Sequence, residues 1–221
     1  MADVVVLGAG GLGVEVAEAV QAAMDDGAHL NLLGFLDDRD ELQGTEIIGL
    51  PIVGKGDWIA GHPDVGVIPA IGHPRSRFRA VQRLTAMGAS WETVVHPAAQ
   101  FSRSATIGKG SVVLAGAIVS ARVVMGDFTL LYYLASAAHD TVMHDFASAM
   151  PQAALSGSVS AGTGAFIGVH AAVRQGIRVG DWTILGAGAV AVKDVPPLCV
   201  AMGVPAAPRK TYDTPDEMPG I

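Results

Sequence analysis

Residues 107–131 read IGKGSVVLAGAIVSARVVMGDFTLL, and a step of six along them meets Ile107, Val113, Val119, Met125 and Leu131. The step continues through Ala137, Met143, Ala149, Leu155, Ala161, Ile167, Val173, Val179 and Leu185 to Ala191, and all fifteen positions are apolar. Four residues after each stands a second series, from Ser111, Ala117 and Val123 to Thr183, Ala189 and Val195, every member small or β-branched. An α-helix repeats at 3.6 residues and a strand at 2, so neither keeps a six-residue phase for so long. A three-sided parallel β-helix does, with one hexad to each side. Glycine adds a longer period. Gly108, Gly126, Gly162 and Gly180 share an eighteen-residue column broken by His144, and Gly168 and Gly186 begin another. Eighteen residues make one full coil, and glycine is expected where each corner turns tightly. Five uninterrupted coils at strand spacing make a prism roughly 24 Å long.

Upstream the pattern changes. Residues 3–7 are expected to form a buried strand, Gly8-Ala9-Gly10-Gly11-Leu12-Gly13 a turn, 14–24 a helix, and 31–36 a second strand ending at Asp37-Asp38. Further strands over 65–71 and 91–95, with a helix over 76–87 between them, extend this βαβ unit into a small parallel sheet ending at His96-Pro97. The expected division is an α/β Rossmann-like half domain over 1–97, a parallel β-helix over 98–207 and a C-terminal tail over 208–221. The glycine loop offers a helix N-terminus to phosphate, and Asp37 stands 24 residues past Gly13, where a ribose-binding acid would lie. Alone, that points to NAD or NADP. No second βαβαβ half follows, however, and a single mononucleotide half suits a nucleotide-linked sugar.

The 221 residues are 50% hydrophobic with a mean hydropathy of +0.42, and carry 21 acidic against 14 basic side chains for a formal charge of −7. So much apolar surface excludes disorder. Residues 112–124 are the most apolar stretch, but Gly116, Ser120 and Arg122 interrupt them, and a spanning helix needs about 20 apolar residues, so no membrane partner is expected. The acidic balance argues against nucleic acid. MADVVVLGAGG at 1–11 has no basic leader, so no secretion signal is expected. Cys199 is the single cysteine, which fits a reducing, cytoplasmic setting.

Taken in order, GAGGLG (8–13), FLDD (35–38), AIGHPRSR (70–77), HPAA (96–99), HDTVMHDF (139–146), AFIGVHAAV (165–173) and ILGAGAVAVKDVP (184–196) cover nearly the full chain. Together they resemble the hexapeptide-repeat sugar acetyltransferases of the sialic acid O-acetyltransferase and UDP-4-amino-sugar N-acetyltransferase type. The resemblance implies a left-handed β-helix, a homotrimer, and acetyl-CoA bound between neighbouring prisms. It implies a catalytic base at His139 with Asp140 as its acidic neighbour. It also implies acetyl-CoA contacts at Ser148, Gly157, Val169 and Ala187, and sugar-nucleotide contacts at Gly10, Gly11, Leu12, Asp37, Asp38, Gly72, His73 and Tyr132.

Histidine is the side chain best suited to collect a proton near neutral pH, and an adjacent carboxylate would fix its tautomer. Neighbouring side chains diverge along a strand, so a His139–Asp140 pair requires a bend at the corner. Gly157 would let a carbonyl approach its N–H, making it an oxyanion donor. Arg174, Arg178, Lys193, Arg209 and Lys210 make the C-terminal part basic, which suits coenzyme A phosphates. Three departures stand out: relatives usually carry Asn where Tyr132 stands, and often His where Ser148 and Leu12 stand. Tyrosine reaches further than asparagine, so a narrower pocket is expected beside His139, favouring a compact deoxy amino sugar and N-acetylation; sugar O-acetylation is the alternative. Two rivals remain. His139 and His144 stand five apart, as in zinc carbonic anhydrases built on such a prism, but a catalytic zinc needs three protein ligands and 98–138 contains no histidine, so no metal is expected. The prism would otherwise be a non-catalytic trimerising stalk for a sugar-nucleotide-binding protein.

Overall fold

The computed structural model describes residues 1–220. Val4, Val5 and Val6 are wholly buried because β1 (Ala2–Leu7) lies inside a mainly parallel sheet. Helix α1 (Gly11–Asp25), β2 (Leu30–Leu36), β3 (Glu46–Ile47), β4 (Leu50–Gly54), β5 (Gly66–Pro69), α2 (Pro74–Ala86) and β6 (Ser90–Trp91) follow. The sheet order is β3-β4-β2-β1-β5-β6, with β3 antiparallel to β4. The entry into α1 is tight: a Cβ on Gly13 would lie 2.0 Å from the Gly8 carbonyl oxygen, so only glycine lets the helix start this close to the strand. The strand expected over 91–95 divides in two. Ser90–Trp91 pairs with β5, whereas Val94–Val95 pairs with Val112–Val113 and is already the first rung of the β-helix, which therefore begins before residue 98.

From Val94 onward, two-residue rungs stack into the three parallel faces of a left-handed β-helix. The first face runs from Val94–Val95 to Ile184–Leu185 and is extended by Cys199–Met202 and the antiparallel Ala207–Thr211. The second runs from Gln100–Phe101 to Val190–Ala191, and the third from Thr106–Ile107 to Arg178–Val179. Of the fifteen apolar hexad positions fourteen are buried, Ile107 in the first coil being half-buried, and the whole second series is buried.

The glycine columns have a different cause from the one expected. Gly108, Gly126, Gly162 and Gly180 do not adopt positive φ; a Cβ on any of them would lie 2.3–2.4 Å from atoms of the following coil. Stacking distance, rather than turn conformation, excludes a side chain there. The left-handed corner residue comes two positions later and recurs every six residues, including Arg122, Phe128, Leu134, Asp140, Phe146 and Trp182. Each such residue costs about 1–2 kcal/mol. Each also donates its N–H to the coil below, as Asp140 does to Ala121 at 3.1 Å and Phe146 to Asp127 at 2.9 Å, which offsets that cost.

The first domain packs on the first face, where the outward side chains of Val112, Leu130 and Ser148 are buried. Val112, Leu114 and Leu130 share one core with Val4, Val16 and Val20. Arg77 of α2 crosses the junction. Its Nε donates to the Phe128 carbonyl at 3.0 Å, Nη2 to the Phe146 carbonyl and Ser148 Oγ at 2.8 Å each, and Nη1 to the Ile71 and Gly72 carbonyls at 2.6 and 3.1 Å. Burial pulls its pKa down to about 9, which leaves the guanidinium charged at neutral pH. At the other end, Asp216 of the tail pairs with Arg75 and Arg79, the Pro219 carbonyl meets His73 Nε2 at 3.0 Å, and the Tyr212 hydroxyl donates to the Trp182 carbonyl.

Replacing Arg77→Ala strands buried carbonyls from both halves and should lower stability by roughly 3 kcal/mol or more in denaturant unfolding. Arg77→Lys, which keeps the charge but not the planar fork, should recover only part of that.

Candidate active site

His139 and Asp140 lie at the corner between the second and third faces, after the rung Ser136–Ala137 and before Val142–Met143. Asp140 takes the left-handed conformation (φ 61°), and this bend brings the two adjacent side chains together, with His139 Nδ1 2.8 Å from Asp140 Oδ2. One coil below, Arg122 clamps the same carboxylate through Nε at 2.6 Å and Nη2 at 2.8 Å. The Arg122 and His139 hydrogen bonds, in that order, hold the Asp140 carboxyl well below the usual carboxylate range. A carboxylate facing Nδ1 puts the ring hydrogen there and leaves the Nε2 lone pair free. One coil above, Gly157 gives the ring its space: a Cβ there would lie 2.5 Å from His139 Cε1 and 2.6 Å from Nε2.

The other residues expected at acetyl-CoA are not on this edge. Val169 and Ala187, one coil apart, line an apolar cleft of about 530 Å³ with Phe166, Ile184, Met202 and Pro219. That cleft lies at the corner between the first and second faces. Ser148 requires a correction: it is wholly buried in the first face and accepts a hydrogen bond from Arg77, so it reaches no surface ligand. Tyr132 also lies at the corner between the first and second faces, where its hydroxyl donates to Glu15 of α1. It does not narrow a pocket beside His139 of its own chain. Burial, with Glu18 nearby, raises the Glu15 pKa.

Apart from Tyr132, the expected sugar-nucleotide residues gather at the carboxyl ends of the first-domain strands. Gly10 and Gly11 face open space, and a Cβ on Gly72 would lie 3.7 Å from the Leu12 side chain. His73 caps α2, its Nδ1 accepting from the Ser76 N–H at 3.4 Å, and also holds the tail. Asp37 Oδ2 accepts from the Ala9 N–H at 2.9 Å, while Arg39 binds both carboxylate oxygens. Asp38 accepts from the Gly56 N–H at 3.0 Å and from Arg83 at 2.5 Å. Gly8, Asp37, Asp38, Ile71 and Arg83 line a pocket of about 220 Å³ at the place where open α/β sheets take ligands. Asp37 thus pins the glycine loop. Sequence reasoning missed Arg39, Arg83, Glu15 and Arg122; of these, only Arg122 carried a signal, its spacing of one coil from Asp140.

A family model described as the PglD N-terminal domain matches residues 3–84. The acetyltransferase domain of PglB from Neisseria gonorrhoeae FA1090, solved with acetyl coenzyme A, superposes with a TM-score of 0.85 at 36% identity, over 94% of this chain and 99% of that one. A histidine variant of GDP-perosamine N-acetyl transferase from Caulobacter crescentus, solved with CoA and GDP-perosamine, also gives 0.85, at 30% identity over 94% and 97% of the two chains. Among curated proteins, galactoside O-acetyltransferase of Escherichia coli K12 is 40% identical over 47 residues, 21% of this chain and 23% of its own length. The chain thus spans only about a quarter of the length of the curated relatives it matches.

Gly157→Ala should displace the His139 ring without disturbing the fold, because the backbone there is not left-handed; turnover is expected to fall at least tenfold while the unfolding midpoint stays within a degree or two. Asp37 gives a second test. Its hydrogen bond from Arg39 pulls its pKa down to about 2, against an ordinary carboxylate value near 3.9. The native state therefore holds fewer protons: Asp37's contribution is complete above about pH 4 and is lost as pH falls towards 2. The Ala9 amide resonance should report a midpoint near that lower value, and a midpoint at the ordinary one would mean the pin is not formed.

Proposed function

The chain belongs to the hexapeptide-repeat sugar acetyltransferases, and on that footing we propose that it transfers the acetyl group of acetyl-CoA to the amino group of a nucleotide-linked deoxy amino sugar. The observation that carries this reading is His139, its Nδ1 on the Asp140 carboxylate and its Nε2 free over Gly157. Acetyl-CoA supplies a thioester carbonyl; the apolar cleft at Val169 and Ala187 suits the pantetheine arm. The sugar amine attacks the carbonyl carbon and the carbon–sulfur bond breaks. His139 Nε2 takes the proton leaving the nitrogen and returns it to the departing thiolate. Asp140, kept ionised by Arg122, stabilises the imidazolium in between. The Gly157 N–H, which donates to no backbone carbonyl among the described residues, serves the oxyanion.

His139 and the cleft occupy successive corners of one prism, so a complete site requires a second copy whose corner meets the first. A homotrimer in the cytoplasm satisfies this, and the exposed outward rungs Ile118 and Val124 on the second and third faces supply apolar surface for it. The nucleotide end belongs at the Asp37–Arg83 pocket and the glycine loop. The amine is favoured because its neutral form attacks without prior deprotonation, and because a solved relative is named for N-acetyl transfer to a nucleotide-linked amino sugar. The match to galactoside O-acetyltransferase supports a hydroxyl acceptor as the second reading.

His139→Ala should lower turnover by on the order of 10²-fold or more with assembly intact, and Asp140→Asn should do less harm. Mass spectrometry of products from paired acceptors, bearing an amine or a hydroxyl at the same carbon, separates the two readings: faster O-acetylation defeats the first. Tight NADH binding without affinity for any nucleotide sugar would overturn the assignment of the first domain.

A further inference from the structure

The first domain buries the outward side chains of Val112, Leu130 and Ser148 on the first face, and the next two rungs present Phe166 and Ile184 outward, buried as well. Residues 212–220 cover these two: Tyr212 and Met218 join Phe166 and Ile184 in one apolar cluster. The segment is ordered from within. Pro215 opens a short turn over Pro215–Glu217, and the Glu217 carboxylate accepts from the Thr214 hydroxyl at 3.2 Å and from the Asp213 N–H at 3.4 Å.

Covering two apolar side chains needs no tie to the first domain, yet the segment makes three, all to α2 or its cap residue. Asp216 Oδ1 accepts from Arg75 Nε at 2.5 Å and from Arg79 Nη2 at 2.7 Å. Arg75 is itself held over the Phe78 ring, 4.9 Å from its centroid. Hydrogen bonds from Arg79 and then Arg75 keep the Asp216 carboxyl below its ordinary pKa, so the tie is closed at neutral pH. The third tie is the Pro219 carbonyl, which accepts from His73 Nε2 at 3.0 Å while His73 Nδ1 accepts from the Ser76 N–H. Both ring nitrogens are engaged and none is left for a ligand, so His73 acts here as a catch for the segment.

The segment also stands where two cavities meet. Gly72 and His73 line one of about 170 Å³ together with Met150 and Phe166. Met150 and Phe166 continue into the cleft at Val169 and Ala187, where Pro219 and Gly220 form part of the wall. We propose that residues 212–220 are a strap that holds the Gly72–His73 loop against the prism and completes the wall of the cleft, with Asp216 as its positioning residue. Taking coenzyme A as the occupant of the cleft rests on the acetyl-transfer reading; the hold on the loop does not. Arg77 locks the same junction from inside through buried bonds, whereas Asp216 and Arg79 are exposed, where ion pairs are weak. The strap can therefore be released without unfolding the chain.

Asp216→Lys sets a cation against Arg75 and Arg79 and should release it. Hydrogen–deuterium exchange and isothermal titration with coenzyme A, both on the intact protein, read the consequence. Asp216→Glu is the conservative variant, and Asp216→Lys combined with Arg79→Glu rescues the tie by reversed charge. In Asp216→Lys exchange should quicken over 70–79 as well as 212–220, and coenzyme A should bind about fivefold more weakly, as the loss of one apolar wall implies. Asp216→Glu should behave as wild type, and the reversed pair should recover part of the affinity. If Asp216→Lys does not fold, Arg79→Glu alone opens the same tie from an exposed position and is judged by the same outcomes. Faster exchange confined to 212–220, with coenzyme A affinity unchanged, would make the segment a cover only and overturn the proposal. Tighter binding would overturn it too, since the segment would then obstruct the cleft. If wild type binds no coenzyme A while 70–79 loosens in Asp216→Lys, the hold on the loop stands and it is the acetyl-transfer reading that fails.

Discussion

One guanidinium, that of Arg77, joins the two halves of this chain through carbonyl and hydroxyl oxygens alone. Burying a cation without a carboxylate is costly, and the cost is met only if its donors find acceptors in the right directions. Those acceptors are the Phe128 and Phe146 carbonyls and Ser148 hydroxyl on the prism side, and the Ile71 and Gly72 carbonyls on the domain side. A small rotation between the halves would break several of these bonds together. Arg77 thus fixes the loop at Gly72 relative to the prism rungs, and with it the spacing between the first-domain loops and the cleft at Val169. The aromatic packing of Phe128 on Phe146, with Trp91 edge-on, encloses the charge and excludes water.

The second organising constraint is the eighteen-residue register. Residues that far apart stack directly, so the site is assembled vertically: Arg122 beneath Asp140, and Gly157 above His139. Each pair is separated in sequence and adjacent in space without any long-range loop. The carboxylate gains its clamp from below, and the ring gains its clearance from above. Function on this scaffold therefore depends on which residues share a column more than on which are sequence neighbours.

The prism was legible because its inward positions obey a period that no other secondary structure has, and the structure keeps that period from rung to rung. The βαβ start was legible from its glycine loop. Other features were hidden for identifiable reasons. The spacing of the glycine columns predicts turn residues, since sequence alone does not separate a conformational need for glycine from a spatial one. Trp91 and Val94 are three residues apart yet belong to different sheets, and nothing in their side chains announces the switch. The resemblance places ligand contacts at Ser148 and Tyr132, and their actual partners, Arg77 and Glu15, lie 71 and 117 residues away in the sequence, out of reach of any local reading. Pairings across a domain junction leave no periodic trace.

The left-handed corners have a consequence of their own. Arginine, phenylalanine, leucine, aspartate, glutamine, serine, histidine and tryptophan all occupy them in this one chain. The backbone at each corner is set by the coils it is stacked against, and is nearly indifferent to the side chain it carries. Such a scaffold behaves as a rack of equivalent sockets. A reactive group can arise at a new height by a single codon change, with a neighbour one storey up or down already within reach, so chemistry can be relocated along the axis while the architecture stays as it is.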